Sequence, residues 1–84
     1  MKRTLKQRHA ALPDGRHNVT GERIRQMRTD QKMTQTQFAE RLRQQGVNFD
    51  QKSISALEVG RRGISDFELK AMADVLGVGV QDFF

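Results

Sequence analysis

The chain has no cysteine, no tryptophan and no tyrosine, and it contains a single proline. Without cysteine, neither a disulfide nor a thiolate metal site can support the fold, and a reducing environment is indicated. No apolar run approaches the ~20 residues that a membrane helix needs. The basic start, MKRTLKQRHAALPDG, lacks the apolar centre of a signal peptide. We therefore expect a soluble, cytoplasmic protein that does not associate with membranes.

Catalytic and metal-binding side chains are equally scarce. His9 and His17 are the only histidines, and no cysteine or paired carboxylate is placed to work with them. The chain also has no glycine-rich loop of the kind that cradles phosphates. These absences predict that the protein is not an enzyme and that it uses neither a metal nor a cofactor.

The charge is positive and unevenly distributed. Lysine and arginine number 15 against 10 acidic residues, a balance of +5. Residues 1–33 hold nine basic and three acidic residues, whereas residues 63–84 hold four acids and one lysine. Such a balance favours a polyanionic partner, although it also serves simply to keep a small protein in solution. If a polyanion binds, we expect it to bind away from the C-terminal end.

A helix-start signal recurs five times along the chain. In each case an apolar residue and a capping residue precede a second apolar residue five positions after the first, the pattern of a hydrophobic staple. The pairs are Val19 and Ile24, Met33 and Phe38, Phe49 and Ile54, Ile64 and Leu69, and Val78 and Phe83. Gly46, Gly60 and Gly77 fall where the second, third and fourth helices should end. The sequence therefore predicts an all-α domain of five helices over residues 18–84, preceded by a weakly ordered basic arm at residues 1–17.

The second and third predicted helices, joined by RQQGVNFD, are the functional candidate. With Ile54 and Leu57 directed inward, the third helix is left with a small, polar outer face. That layout is typical of a helix-turn-helix, whose second helix enters the DNA major groove. Glutamine can bind adenine, lysine can bind guanine and alanine can contact a thymine methyl group. The alternative is that these polar residues only solvate an exposed helix.

The segments GERIRQMRTDQKMTQTQFAERL and SISALEVGRRGISDFELKAMADVLGVGVQDFF resemble the Cro and C1 repressor type of helix-turn-helix domain, also called the XRE family. The shared motifs include Thr-Gln at the start of the second helix and Ile-Ser-x-x-Glu-x-Gly-x-Arg closing the third. The resemblance implies a five-helix, lambda-repressor-like domain that binds operators as a dimer. It further implies a sequence-specific transcriptional regulator, most simply a repressor, reading an inverted repeat in double-stranded DNA.

The resemblance also assigns roles to single residues. Glu58 is expected to form a structural ion pair with Arg28, and Gln35 to brace Gln51. Base contacts are expected from Gln51, Lys52, Ser55 and Ala56, and phosphate contacts from Thr34, Gln35, Arg61 and Arg62. The link RQQGVNFDQK is longer than the tight turn of the best-known repressors. We expect the second helix to run through Gln45, with Val47 and Phe49 filling the gap that the longer link leaves.

The C-terminal end is richer in apolar residues than one small core requires. Val80, Phe83 and Phe84 either pack in the core or form the surface of a homodimer, and we favour the homodimer. A competing hypothesis is an antitoxin or another regulator whose main partner is a protein, bound through the arm or through this end of the chain.

Overall fold

The computed structural model describes residues 11–84, and the first ten residues of the predicted arm lie outside it. The chain forms four α-helices, α1 (Gly21–Asp30), α2 (Gln35–Gln44), α3 (Gln51–Glu58) and α4 (Asp66–Leu76), followed by a 3₁₀ turn at Val80–Phe83. No strand occurs within this part of the chain. The predicted all-α class is confirmed.

The fifth predicted helix is a single 3₁₀ turn and not an α-helix. Its backbone bonds connect residues three apart, from the Asp82 N–H to the Gly79 carbonyl and from the Phe84 N–H to the Gln81 carbonyl. The Asp82 carboxylate accepts a bond from the Gly79 N–H and thereby caps the turn. A segment of four residues closes three-apart bonds more readily than it starts an α-helix, because an α-helical nucleus fixes more dihedral angles for one bond.

One apolar core joins all of these elements. α3 packs against α1 and α2, and α4 closes the other side of the core. The largest fully buried side chains are Phe38, Phe49, Phe83, Ile24, Leu42, Ile54, Leu57 and Met72. Phe83 is only 2% exposed, so its predicted place on a self-association surface is wrong and core packing accounts for it. Val80 packs partly buried against the same core.

Side-chain caps begin three of the helices as the sequence predicts. Thr34 and Ser65 each form a complete capping box with the third residue of their helix, and the Asp50 carboxylate accepts from the Ser53 N–H. α1 is the exception, because the Thr20 side chain makes no capping bond there. The Asn18 side-chain oxygen takes that role by accepting from the Gly21 N–H at 2.7 Å.

All four helices end in the same hydrogen-bonded stop, in which two successive N–H groups bond back to carbonyls of the last turn. The residue that needs a left-handed backbone is a glycine in three of them, at positions 46, 60 and 77 as predicted. At the end of α1 it is Lys32, with φ 57°. A non-glycine residue pays a steric cost in that conformation.

The longer link between α2 and α3 is anchored in the core. α2 ends at Gln44 with Gln45 as its cap, Phe49 is fully buried, and Val47 packs partly buried beside it. The Arg43 guanidinium donates to the Phe49 carbonyl at 2.6 Å. The start of α3 is therefore fixed by apolar packing and by a charged hydrogen bond.

Candidate nucleic-acid interface

α3 turns one side to the core and the other to solvent. Ile54 and Leu57 are fully buried, and the charged residue Glu58 is buried as well, with 5% of its surface exposed. Gln51 and Lys52 in the first turn are exposed, and Ser55 and Ala56 in the second are half-buried. Val59, which follows the helix, is 55% exposed. The outer face is therefore small, uncharged over most of its length and open to close approach.

A chain of hydrogen bonds holds the start of α3. The Gln51 side-chain nitrogen donates to the Gln35 side-chain oxygen at 2.6 Å. The Gln35 side-chain nitrogen donates in turn to Glu58 Oε1 at 3.0 Å. Gln35 is the first residue of α2, so these bonds tie α2 to α3.

The chain of bonds ends on a buried ion pair. Arg28 at the end of α1 donates from Nε to Glu58 Oε2 at 2.6 Å and from Nη2 to Glu58 Oε1 at 3.0 Å. Its Nη1 donates to the Met33 carbonyl at 2.6 Å. The Glu58 side chain is only 1% exposed. Each nitrogen of the guanidinium and each oxygen of the carboxylate has a hydrogen-bond partner, which is the condition under which a buried pair is tolerated.

Asn18 holds the other end of α3. Its side-chain nitrogen donates to the Leu57 carbonyl at 3.0 Å and to the Arg62 carbonyl at 2.6 Å, while its oxygen accepts from Gly21. The amide of Asn18 therefore bonds to three backbone groups: a carbonyl at the end of α3, a carbonyl in the loop after it, and an N–H at the start of α1. The sequence analysis did not identify Asn18 as a site residue. Its position three residues before Gly21 is typical of a capping side chain, but its bonds to carbonyls near the end of α3 join residues that are distant in the sequence and cannot be predicted from a local pattern.

Gly21 allows α1 to approach α3 this closely. A β-carbon at this position would overlap the Leu57 carbonyl oxygen and would lie 2.8 Å from the Asn18 side-chain oxygen. The next segment toward the N-terminus is also in contact, since the His17 N–H donates to the Gly60 carbonyl at 2.7 Å. Residues 16–18 therefore belong to the packed structure around the end of α3.

A family model described as helix-turn-helix matches residues 24–83, which is most of the chain and includes all of α2 and α3. The chain belongs to this family, the Cro/C1-type or XRE helix-turn-helix proteins. The family is one of DNA-binding regulators and is typically not enzymatic. Comparisons with curated proteins and with solved structures gave no significant match.

The two arginines that follow α3 in this helix-turn-helix domain differ in their surroundings. Arg61 is exposed. Arg62 makes hydrogen bonds of 3.1 and 3.2 Å to the Glu68 carboxylate, and its guanidinium lies 4.8 Å from the centre of the Phe49 ring. Arg62 thus joins the α2–α3 link to the start of α4. Its charge is largely committed within the domain, whereas that of Arg61 faces solvent.

The XRE domain also carries basic residues that the sequence reasoning did not select. An open groove of about 490 Å³ lies beside the end of α3 and is lined by Arg16 and Arg25 together with Gln35 and Val59. Arg25 is exposed on α1, and Arg16 pairs with Asp14 at 2.7 Å. A hydrogen bond from the Arg16 backbone N–H holds the pKa of Asp14 below its usual value. Both arginines therefore lie near the C-terminal end of α3, in a groove that the acidic Glu22 and Glu58 also line.

Two carboxylates at helix starts are stabilised in their charged form. The backbone N–H of Ser53 lowers the pKa of Asp50, the cap of α3. Burial alone would raise the pKa of Glu68, but hydrogen bonds from Arg62 and Ser65 outweigh it and lower that pKa below its ordinary value. Within residues 11–84 no cluster of histidines and carboxylates could hold a metal ion. No helix in the same region is long and apolar enough to cross a bilayer.

Proposed function

We propose that the protein is a sequence-specific regulator of transcription that inserts α3 into the major groove of double-stranded DNA. The observation that carries this proposal is the outer face of α3, formed by Gln51, Lys52, Ser55 and Ala56. It is polar and low in profile, and both ends of the helix are fixed by residues outside it. A rigid helix with short side chains can approach base edges, while Gln51 and Lys52 are long enough to bind them.

Phosphate contacts on either side of the groove would set the position of the helix. Thr34 and Gln35 lie at the positive end of α2, where backbone N–H groups favour an anion. Arg61 is exposed in the loop after α3, and Arg16 and Arg25 line the groove beside the C-terminal end of that helix. We assign Arg62 a mainly structural part in this scheme, because Glu68 and Phe49 already hold its guanidinium.

We further propose that the protein binds DNA as a homodimer. An eight-residue recognition helix reads few base pairs, and two copies related by a two-fold axis double that number when their helices lie about 34 Å apart. A shallow apolar groove of about 210 Å³ offers a surface for the second copy. It is lined by Val19, Ile64, Leu69 and Phe84, of which Val19 is 51% and Phe84 76% exposed. Occupancy of an inverted-repeat operator would repress transcription by excluding other proteins from that DNA.

Selection of bound DNA from a random pool, at a fixed salt concentration, tests the proposal. We expect an inverted repeat to be enriched and the affinity to fall steeply as salt rises, because phosphate contacts release counterions. The same selection is repeated with the Gln51→Ala variant, which should change the base preference at one position of each half-site. Enrichment of no sequence, with binding insensitive to salt, would rule out DNA recognition. Light scattering at micromolar concentration tests the dimer, and a strict monomer on and off DNA would contradict it.

A further inference from the structure

The segment before α1, residues 12–18, is packed onto the end of α3 although it lies outside the region of the family match, residues 24–83. The aliphatic stem of Arg16 lies against Gly60, where an added β-carbon would come within 2.8 Å of the Arg16 Cγ. The His17 N–H donates to the Gly60 carbonyl at 2.7 Å. The support for this end of α3 therefore comes from a part of the chain that the family match does not include.

Asn18 makes the main bonds of this segment to α3. The last carbonyls of a helix have no donor within the helix, so other groups must supply one. The Asn18 nitrogen donates to the Leu57 carbonyl at 3.0 Å and to the Arg62 carbonyl at 2.6 Å. The Gly60 N–H donates to the same Leu57 carbonyl at 3.1 Å, so both acceptor positions of that oxygen are filled. The Asn18 amide thus joins the end of α3 and the loop after it to the start of α1.

This support differs in kind from the other external bonds of α3. Gln51 and Glu58 reach outside the helix with long side chains, which can follow a small shift of the backbone by changing their torsion angles. Asn18 instead bonds to a main-chain carbonyl, that of Leu57, and its own oxygen is held by the Gly21 N–H at 2.7 Å. It therefore fixes the backbone of α3 relative to the start of α1.

We propose that Asn18 is a positioning residue for base recognition, which sets the tilt of α3 and thereby the bases that Ser55 and Ala56 meet. The proposal rests on the proposed DNA-binding function and extends it to a residue outside the family match. Asn18 does not read bases itself, because its amide is committed to three backbone groups. Ser55 and Ala56 lie closer in the helix to the Leu57 carbonyl than Gln51 does, so their base contacts depend most on this support.

The test separates the two kinds of bond that Asn18 makes. Asn18→Asp keeps an oxygen for the Gly21 N–H, but it has no N–H for the carbonyls of Leu57 and Arg62. Asn18→Ser is an uncharged second variant, which keeps an acceptor but is one atom shorter and has a single donor. Ser65→Ala is the control, because it destabilises the domain through the cap of α4 without removing a bond to α3.

The measured quantity is the ratio of affinities for the selected operator and for unrelated DNA of the same length. We expect both Asn18 variants to lower this ratio by about tenfold, as expected when a base contact is weakened. The preference at the base pair that Gln51→Ala identifies should remain, while the preference at neighbouring pairs weakens. Ser65→Ala should lower the melting temperature and leave the ratio unchanged, because unfolding reduces both affinities by the same factor. The added charge in Asn18→Asp likewise weakens both and cancels in the ratio.

A folded Asn18→Asp or Asn18→Ser protein with the wild-type ratio would overturn the proposal. Melting curves show which variants are folded. If neither variant folds, Asn18 acts on stability and the proposal is overturned equally. Failure of the proposed function is a different result, since the wild-type protein would then select no preferred sequence from the random pool.

Discussion

Arg28 and Glu58, thirty residues apart in the chain, form a two-pronged ion pair with N–O distances of 2.6 and 3.0 Å. The pair connects the last turn of α1 to the last turn of α3, the helix whose outer face is the candidate reading surface. Because both side chains are more than nine-tenths buried, the charge of each is stabilised by the opposite charge of the other and not by water.

Removing one partner should therefore unfold the domain more readily than it changes base preference. We expect Glu58→Ala to lower the free energy of unfolding by about 3 to 5 kcal/mol, because it leaves the Arg28 charge buried and uncompensated. Thermal melting followed by circular dichroism measures the loss. Asp74→Ala is the control: it breaks the exposed pair with Lys70 and should cost less than about 1 kcal/mol. A Glu58→Ala protein with the wild-type melting temperature would contradict the structural role.

The left-handed residue at the end of α1 offers a stabilising substitution. Lys32 has φ 57°, a conformation that costs an ordinary residue roughly 1 to 2 kcal/mol and glycine much less. We expect Lys32→Gly to raise the free energy of unfolding by about 0.5 to 1 kcal/mol after the greater entropy of the unfolded glycine chain is subtracted. Urea unfolding measures this change. Lys32→Ala controls for the lost charge and should not stabilise, so equal stabilisation by both variants would show that backbone strain is not the cause.

The two arginines after α3 should separate a DNA contact from a structural contact. Arg61→Ala should leave the melting temperature unchanged, weaken binding to all DNA sequences and reduce the salt dependence by about one counterion. Arg62→Ala should lower the melting temperature, because it removes hydrogen bonds to Glu68 and the contact with the Phe49 ring. Affinity at several salt concentrations, together with melting curves, distinguishes the two. Equal melting temperatures for the two variants would disprove this division.

Glu68 makes part of the stability depend on pH. Its pKa is lowered in the folded protein, so its contribution is present above the ordinary value of 4.5 and is lost as the pH falls below it. Glu68→Gln keeps a side chain that can form the capping box but removes the titrating group. We expect the difference in unfolding free energy between wild type and Glu68→Gln to be greatest near pH 7 and to shrink below pH 4.5. A difference that is the same at pH 7 and pH 3 would show that Glu68 does not act through its charge.

Much of the fold was predictable because its signals are local. Each of the caps Thr34, Asp50 and Ser65 bonds to a group three residues away, and glycine marks three of the four helix ends. The end of α1 at Lys32 was not predictable in this way, because lysine has no preference for a left-handed backbone. The fifth helix was predicted where only a 3₁₀ turn forms, at Val80–Phe83, because the apolar spacing of this segment is compatible with both structures.

The candidate site was less predictable, because its supports are distant in the sequence. Helical periodicity identified the outward face of α3, and the family resemblance paired Arg28 with Glu58. Asn18 reaches carbonyls 39 and 44 residues away, and no sequence pattern announces such contacts. The commitment of Arg62 to Glu68 and Phe49 likewise depends on how the α2–α3 link and α4 meet.

The hydrogen bond between Gln35 and Gln51 also bears on how such a regulator could diverge. Lys52 lies exposed beside this pair, so a substitution there would leave the hydrogen bond between Gln35 and Gln51 in place. A change at position 51 would leave Gln35 facing an unsuitable partner, and a second change would have to follow it. Among descendants of this protein, positions 35 and 51 should therefore vary together, while position 52 drifts on its own.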